Sequence, residues 1–420
     1  MTPNGGYVMS LLFLFFAIFK STLGQNWAFE IDKDTSSKDY PRDSLSNFTE
    51  LARNYGYTAE EHTVITDDGY ILSVFRIPKG KNCRGRIRQP PVLLMHGLLQ
   101  SSDSWLDAGP SAGLAFLISD ACYDLWVGNV RGTYYGRRNV RLNPDTDPQF
   151  WNFTSHEMGK LDVPAIIDYM LSETGFSELN YVGFSQGGRI FFIMCSETSG
   201  YCDKIKISIM LAPAARVNYT RSVPVQLLTR FYAVIEPLLS SPRELEVFQK
   251  GGLIQKVASF FCKDNILAGT VCRTALTLID SYDPDSILTQ TIRVLFGHFP
   301  GGTSARNLAF YGQNGIAGRF QKYDYGPSEN FELYGTVEPP LYNLNRTNIP
   351  VVLIYGENDF LVDPKDVQWL SSQLPNLIEA YQVRRLTWTH FDNCYSQYTN
   401  VIIFPKIHEY LQKYSKDGCV

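Results

Sequence analysis

An α/β fold built on a mostly parallel sheet, with one long and mainly helical insertion, is what this sequence predicts. Three observations carry the prediction. Short continuous apolar runs recur at residues 91–95, 123–128, 179–183, 207–211 and 351–355, as strands buried on both faces require. Helical periodicity lies between them; residues 158–171 place Leu161, Ile166, Ile167 and Met170 on one side. Strands alternating with helices imply parallel pairing. The alternation then lapses from about residue 217 to 340, where amphipathic helical stretches and loops replace strand signals.

The remaining elements follow in order. After a polar lead-in at residues 32–43, residues 61–78 alternate apolar and polar side chains around an Asp67-Asp68-Gly69 turn, which is a hairpin signal. Residues 383–386 form a weaker last strand, and 401–411 a closing helix. Of the 420 residues, 44% are hydrophobic and 14% aromatic, enough for a substantial core. The net charge of -4, with no basic block or acidic tail, argues against a nucleic-acid partner.

Residues 8–19 are an apolar run too short to span a bilayer. With small residues Thr22 and Gly24 and then polar Gln25 and Asn26, the run predicts a signal peptide ending at Gly24. A signal anchor or buried helix is the competing reading, since the first residues lack Lys and Arg. No later segment reaches transmembrane length. Sequons at Asn47, Asn152, Asn218 and Asn345 agree with secretion. The eight cysteines allow disulfides, although Cys195, in the apolar run FFIMC, reads as a buried thiol.

Gly183-Phe184-Ser185-Gln186-Gly187 fits G-x-S-x-G and sits between an apolar strand and a helix beginning near Arg189. That setting predicts a nucleophilic serine on a sharp turn, with glycines where side chains would clash. A serine hydroxyl needs a base, and the base a carboxylate; in this arrangement the chain order is Ser, acid, His. Of the histidines after Ser185, His298 lies in the insertion, His408 on the closing helix, and His390 in a loop after the last strand. Loops at carboxyl strand ends are where such sheets carry their sites, so His390 is the expected base. Asp359, just after the 351–355 strand, is the expected acid, with Glu357 and Asp363 as rivals. Leu98, after the strand ending at Met95, and Gln186, after the serine, are the expected oxyanion donors through their backbone N–H groups. His96 precedes the serine in sequence and reads as structural. No metal-ligand spacing or phosphate loop is found, so no cofactor is expected.

These stretches together resemble the acid lipase family, which includes gastric and lysosomal acid lipases. HTVITDDGYILSVFRIP is similar to its first hairpin, HGLLQSSDSW to its oxyanion loop, GFSQGG to its elbow, NDFLVDP to its acid loop and WTHFDN to its histidine loop. FPGGTSARNLAFYGQ and GRFQKYDYG, inside the insertion, are further signatures, and the likeness spans about residues 40–415. The resemblance implies an α/β-hydrolase core in two parts, 25–215 and 341–420, with a cap or lid at 216–340. It implies the triad Ser185, Asp359 and His390, oxyanion donors Leu98 and Gln186, and a cap disulfide between Cys262 and Cys272. Phe184 departs from the family, which usually has His there.

The expected function is secreted, or else lysosomal, hydrolysis of triacylglycerol or sterol esters through an acyl-enzyme at a lipid droplet or emulsion surface. Two other functions compete: a silent lipid-binding protein on the same fold, and a small-ester hydrolase or peptidase using the same triad. Helical stripes at Val225, Leu228, Phe231, Tyr232, Ile235 and Leu239, and at Leu253, Ile254, Val257, Phe260 and Phe261, are either core or a lid face toward lipid.

Overall fold

The computed structural model describes residues 42–84, 90–230, 246–263 and 265–415. The expected signal peptide, most of the polar lead-in, Cys419, and Phe231, Tyr232, Ile235 and Leu239 lie outside them. Residues Pro41–Val420 form one compact unit.

The fold is an eight-stranded sheet. In chain order its strands are β1 (Glu60–Ile65), β2 (Ile71–Ile77), β3 (Val92–Met95), β4 (Leu125–Gly128), β5 (Leu179–Phe184) and β6 (Ile205–Leu211). After a two-residue ribbon of β7 (Glu246–Val247) with β8 (Thr303–Ser304) come β9 (Val351–Tyr355) and β10 (Leu377–Gln382). The spatial order is β1-β2-β4-β3-β5-β6-β9-β10. The β1–β2 and β2–β4 pairs are antiparallel and all the others parallel.

Burial explains which strands the sequence marks strongly. Every residue of β3, β4, β5 and β9 is buried, so each is a continuous apolar run. The edge strand β10 alternates half-buried and exposed residues. The last strand is therefore Leu377–Gln382, not residues 383–386 as expected. Only Val383 extends the pairing, donating its N–H to Tyr355 O at 2.8 Å.

Between β6 and β9 the chain is mainly helical, through Val223–Arg230, Leu253–Cys262, Arg273–Ile279, Thr289–His298, Ala305–Ala317 and Pro327–Tyr334. Cys262, Leu276, Ile292 and Leu295 from this segment join one hydrophobic cluster with Val182, Ile209 and Val352 of the sheet. The segment thus shares the core of the sheet. Its second stripe, in contrast, faces out: Leu253, Val257, Phe260 and Phe261 are exposed.

Three disulfides join Cys83–Cys122, Cys195–Cys202 and Cys262–Cys272. The last is the pair that the family resemblance implied. Cys195 is a correction: it is bonded, not a thiol. The chain reverses after the helix Gln186–Glu197 and brings Cys202 back to a Cα separation of 4.9 Å, within the range a disulfide spans. Apolar neighbours indicated its burial correctly but say nothing of its oxidation state. Among the described cysteines only Cys394 is free, and it is buried.

Candidate active site

The elbow begins with strain. Ser185, between β5 and the helix Gln186–Glu197, has φ 52° and ψ −110°, a backbone region that non-glycine residues rarely occupy. The surroundings leave it little choice. Its N–H donates to Leu211 O at 2.9 Å, and its carbonyl accepts from Gly188, Arg189 and Ala214. A Cβ on Gly187 would lie 2.2 Å from Met95 O, and one on Gly183 would lie 2.7 Å from the Gly187 backbone. Only glycine permits the helix to start this close to β3 and β5.

The parallel order places the next two chemical groups on the same side. Asp359 follows β9 and His390 follows β10, so both sit at carboxyl ends of strands beyond β5 and β6. The His390 Nδ1 lies 2.7 Å from Asp359 Oδ2, and the other carboxylate oxygen accepts from Val362 N at 2.7 Å. Both residues are buried. Burial alone pulls the His390 imidazole down, but the charge and hydrogen bond of Asp359, with the charge of Asp280, raise it net above its ordinary value. The Phe184 ring lies 4.7 Å from the His390 ring, which brings the residue before Ser185 directly against the histidine.

The rival carboxylates have other work. Glu357 is exposed and accepts from Gln382. Asp363 caps the helix Pro364–Gln373 and pairs with Arg221 at 2.8 Å. The other histidines are equally engaged. His298 pairs with Asp107 at 2.6 Å and contacts Ser46 O. His408 lies against the rings of Tyr123 and Phe404. His96 contacts Gly97 O through Nδ1, and its Nε2 accepts from Val130 N. Burial brings His96 down to about 4, which keeps it neutral and fits a structural part.

The loop after β3 is held by its own side chains and by the insertion. Gly97 N donates to Gln100 Oε1 at 2.9 Å, and Gly301 N donates to Leu99 O at 2.6 Å. Leu99 has φ 60°. Among the described residues no acceptor takes the Leu98 N–H. Gln186 opens its helix, so its N–H is one of the first-turn donors that a helix leaves unpaired. Its side-chain Oε1 accepts from Asn307 of the insertion at 2.9 Å.

One neighbour had no signal in the sequence. Asp280, in the insertion, is buried and accepts from both Phe360 N and Phe391 N. No motif surrounds it, and only the folded chain brings it beside Asp359 and His390. Among the described residues no group of His, Cys, Asp and Glu side chains forms a metal site.

Known proteins resemble this chain in sequence. Residues 48–109 match the partial alpha/beta-hydrolase lipase region, and residues 90–230 match the alpha/beta hydrolase fold. Human gastric triacylglycerol lipase is 40% identical over 343 residues, covering 79% of this chain and 83% of its own length. The chain belongs to the acid lipase family. Human lipase member K is 36% identical, over 79% of this chain and 82% of its own. Lipase 3 of Drosophila melanogaster is 33% identical, over 88% and 94%. The chain is accordingly an α/β-hydrolase and a lipid-ester hydrolase. Among its described residues no helix is long and apolar enough to cross a membrane.

Proposed function

We propose that this protein cleaves lipid carboxylic esters through an acyl-enzyme on Ser185, with His390 as base and Asp359 as its orienting acid. The observation that carries the proposal is the 2.7 Å contact of Asp359 with His390 Nδ1, with the His390 ring 4.7 Å from that of Phe184, the residue before the strained Ser185. Asp359 keeps the proton on Nδ1 and leaves Nε2 to take the Ser185 proton as the hydroxyl attacks the ester carbonyl. The negative charge that develops on the carbonyl oxygen is met by the N–H groups of Leu98 and Gln186. The imidazolium then protonates the departing alcohol, and water repeats the sequence to release the acid.

Triacylglycerol is the leading substrate class, because gastric triacylglycerol lipases are among the relatives; sterol esters remain the second. The exposed stripe of Leu253, Val257, Phe260 and Phe261 supports docking at a lipid droplet or emulsion surface, with residues 216–340 as a cap or lid. Secretion, or delivery to a lysosome, is supported by the disulfides. Asn47, Asn152, Asn218 and Asn345 are all exposed, as glycan acceptors must be. At Asn47 the hydrogen bonds from Glu50 N and Thr49 use Oδ1, so glycan attachment at the nitrogen would leave them intact.

The test is turnover of triglycerides, sterol esters, phospholipids and short-chain esters by purified protein across pH, with phosphonate trapping of the nucleophile. Label on Ser185 and preference for long-chain neutral esters are expected. Label elsewhere, or no hydrolysis of any ester, overturns the proposal and favours a silent lipid-binding protein. Hydrolysis of short soluble esters alone favours the small-ester reading.

A further inference from the structure

We propose that Asp280 is a positioning residue of the catalytic site, supplied by the insertion, which sets the spacing of the acid and histidine loops and tunes the basicity of His390. The proposal rests on the triad described above. Asp280 closes the helix Arg273–Ile279 and lies where the chain turns toward the acid loop. Its Oδ1 accepts from Phe360 N at 3.0 Å, one residue after Asp359. Its Oδ2 accepts from Phe391 N at 3.2 Å, one residue after His390. One carboxylate thus spans the two loops whose side chains must meet at 2.7 Å.

The neighbouring residues fasten the same turn. Ser281 Oγ donates to Asn358 O, and Asn358 Nδ2 donates to Tyr282 O at 3.0 Å and to Thr387 O at 3.2 Å. Arg385 pairs with Asp283 at 2.5 Å. The turn therefore cannot drift without disturbing both loops. A positioning error of the order of 1 Å is enough to cost roughly 100-fold in rate.

Charge adds a second effect. The charged groups on the elements around Asp280 are Asp359 and His390, Asp392 beyond His390, the Asp283–Arg385 pair, and Arg221, which donates to the carbonyls of Glu357 and Asp359. Burial and the charge of Asp359 push the Asp280 carboxyl up to about 7, against the opposing pull of His390 and the two backbone N–H groups. An ionised Asp280 favours the imidazolium on His390. The charge acts where Asp280 is ionised, near and above about 7, so removing it lets His390 release its proton at lower pH and moves the upper part of the acid limb down.

The experiment compares Asp280→Asn and Asp280→Ala on a soluble ester across pH, with phosphonate labelling of Ser185 in every variant. Asp280→Asn keeps the shape and one acceptor but not the charge. Its acid limb of kcat/KM should move down by roughly half to one pH unit. Asp280→Ala should lower kcat by roughly 10- to 100-fold with KM nearly constant, and Asp280→Asn should recover part of that loss. Wild-type kcat in a folded Asp280→Ala overturns the positioning role. An acid limb that stays fixed or rises in Asp280→Asn overturns the charge role, and decides the matter if the alanine variant does not fold. Label away from Ser185 in the unmodified protein would instead bring down the triad beneath the proposal.

Discussion

The strand ends that carry Ser185, Asp359 and His390 and the helix Leu253–Cys262 of the insertion solve opposite problems. At the strand ends each group is fixed several times over. Ser185 is 8% exposed and His390 3%, and a methyl group added at Gly187 would strike backbone. On the helix, Phe260 is 62% and Phe261 46% exposed, although burying either ring would stabilise the fold by about 1.5–3 kcal/mol. Most of the exposed large apolar side chains among the described residues lie in the insertion. The difference teaches that rigidity and stickiness are kept apart: the proposed bond-making geometry belongs to the sheet, and apolar surface that water opposes belongs to the segment laid beside it.

The strand-end region is broken most severely by Ser185→Ala. Turnover of every ester should fall by on the order of 10⁶, with the far-ultraviolet spectrum and melting temperature near those of the parent. A variant that keeps a tenth of the activity would mean that the nucleophile lies elsewhere, whatever the strain at position 185.

Next come the partners. His390→Ala should lower kcat by on the order of 10⁶ and Asp359→Asn by on the order of 10⁴, whereas Asp363→Asn should cost little turnover, because Asp363 caps a helix and pairs with Arg221. A reversed ranking of Asp359 and Asp363 in steady-state kinetics would reassign the acid.

These residues also show what a sequence can and cannot disclose. Ser185 was legible because its strain demands glycines at fixed offsets, and His390 because the sheet order dictates where a base must follow. β3, β4, β5 and β9 were legible because burial on both faces makes them apolar throughout. β10 carries no such signal because an edge strand needs no continuous apolar run. Cys195 reads as a thiol but is bonded, because burial is written in neighbouring residues and oxidation is written in distance. Asp280 was invisible for the same reason: its partners, Phe360 N and Phe391 N, are 80 and 111 residues away.

The insertion is loosened rather than broken by removing its disulfide. Cys262 ends the exposed helix, and Cys272 ends the π-helical stretch Ala268–Cys272 that follows. Replacing both by Ser should cost roughly 2–3 kcal/mol in the chain-entropy model, seen as a lower midpoint in chemical unfolding. Short-chain ester turnover should persist in the folded variant, since Asp280 meets the acid and histidine loops at the far end of the helix Arg273–Ile279 from Cys272. Loss of short-chain activity with an unchanged midpoint would show that the helix is coupled to the chemistry more tightly than the comparison allows.

The smallest effect on stability, and the one that divides the two regions most cleanly, is expected from Phe260→Ser with Phe261→Ser. Both rings are exposed and meet each other edge to face, with centroids 5.5 Å apart. Their loss removes few buried contacts, so unfolding should shift by less than about 1 kcal/mol, as for surface substitutions. At an emulsion the consequence is different. Two aromatic rings that would enter a lipid surface are each replaced by a hydroxyl, and the transfer free energy that draws the enzyme to the interface is reduced. Hydrolysis of emulsified long-chain ester should therefore fall several-fold, while hydrolysis of a soluble short-chain ester, which reaches Ser185 without an interface, should stay near the parent value. Binding to neutral-lipid emulsions, followed by co-flotation, should fall in parallel with the emulsion rate. Equal losses on both substrates would place these rings in the folding core despite their exposure, and no loss on either would leave the outward stripe without a part in lipid capture.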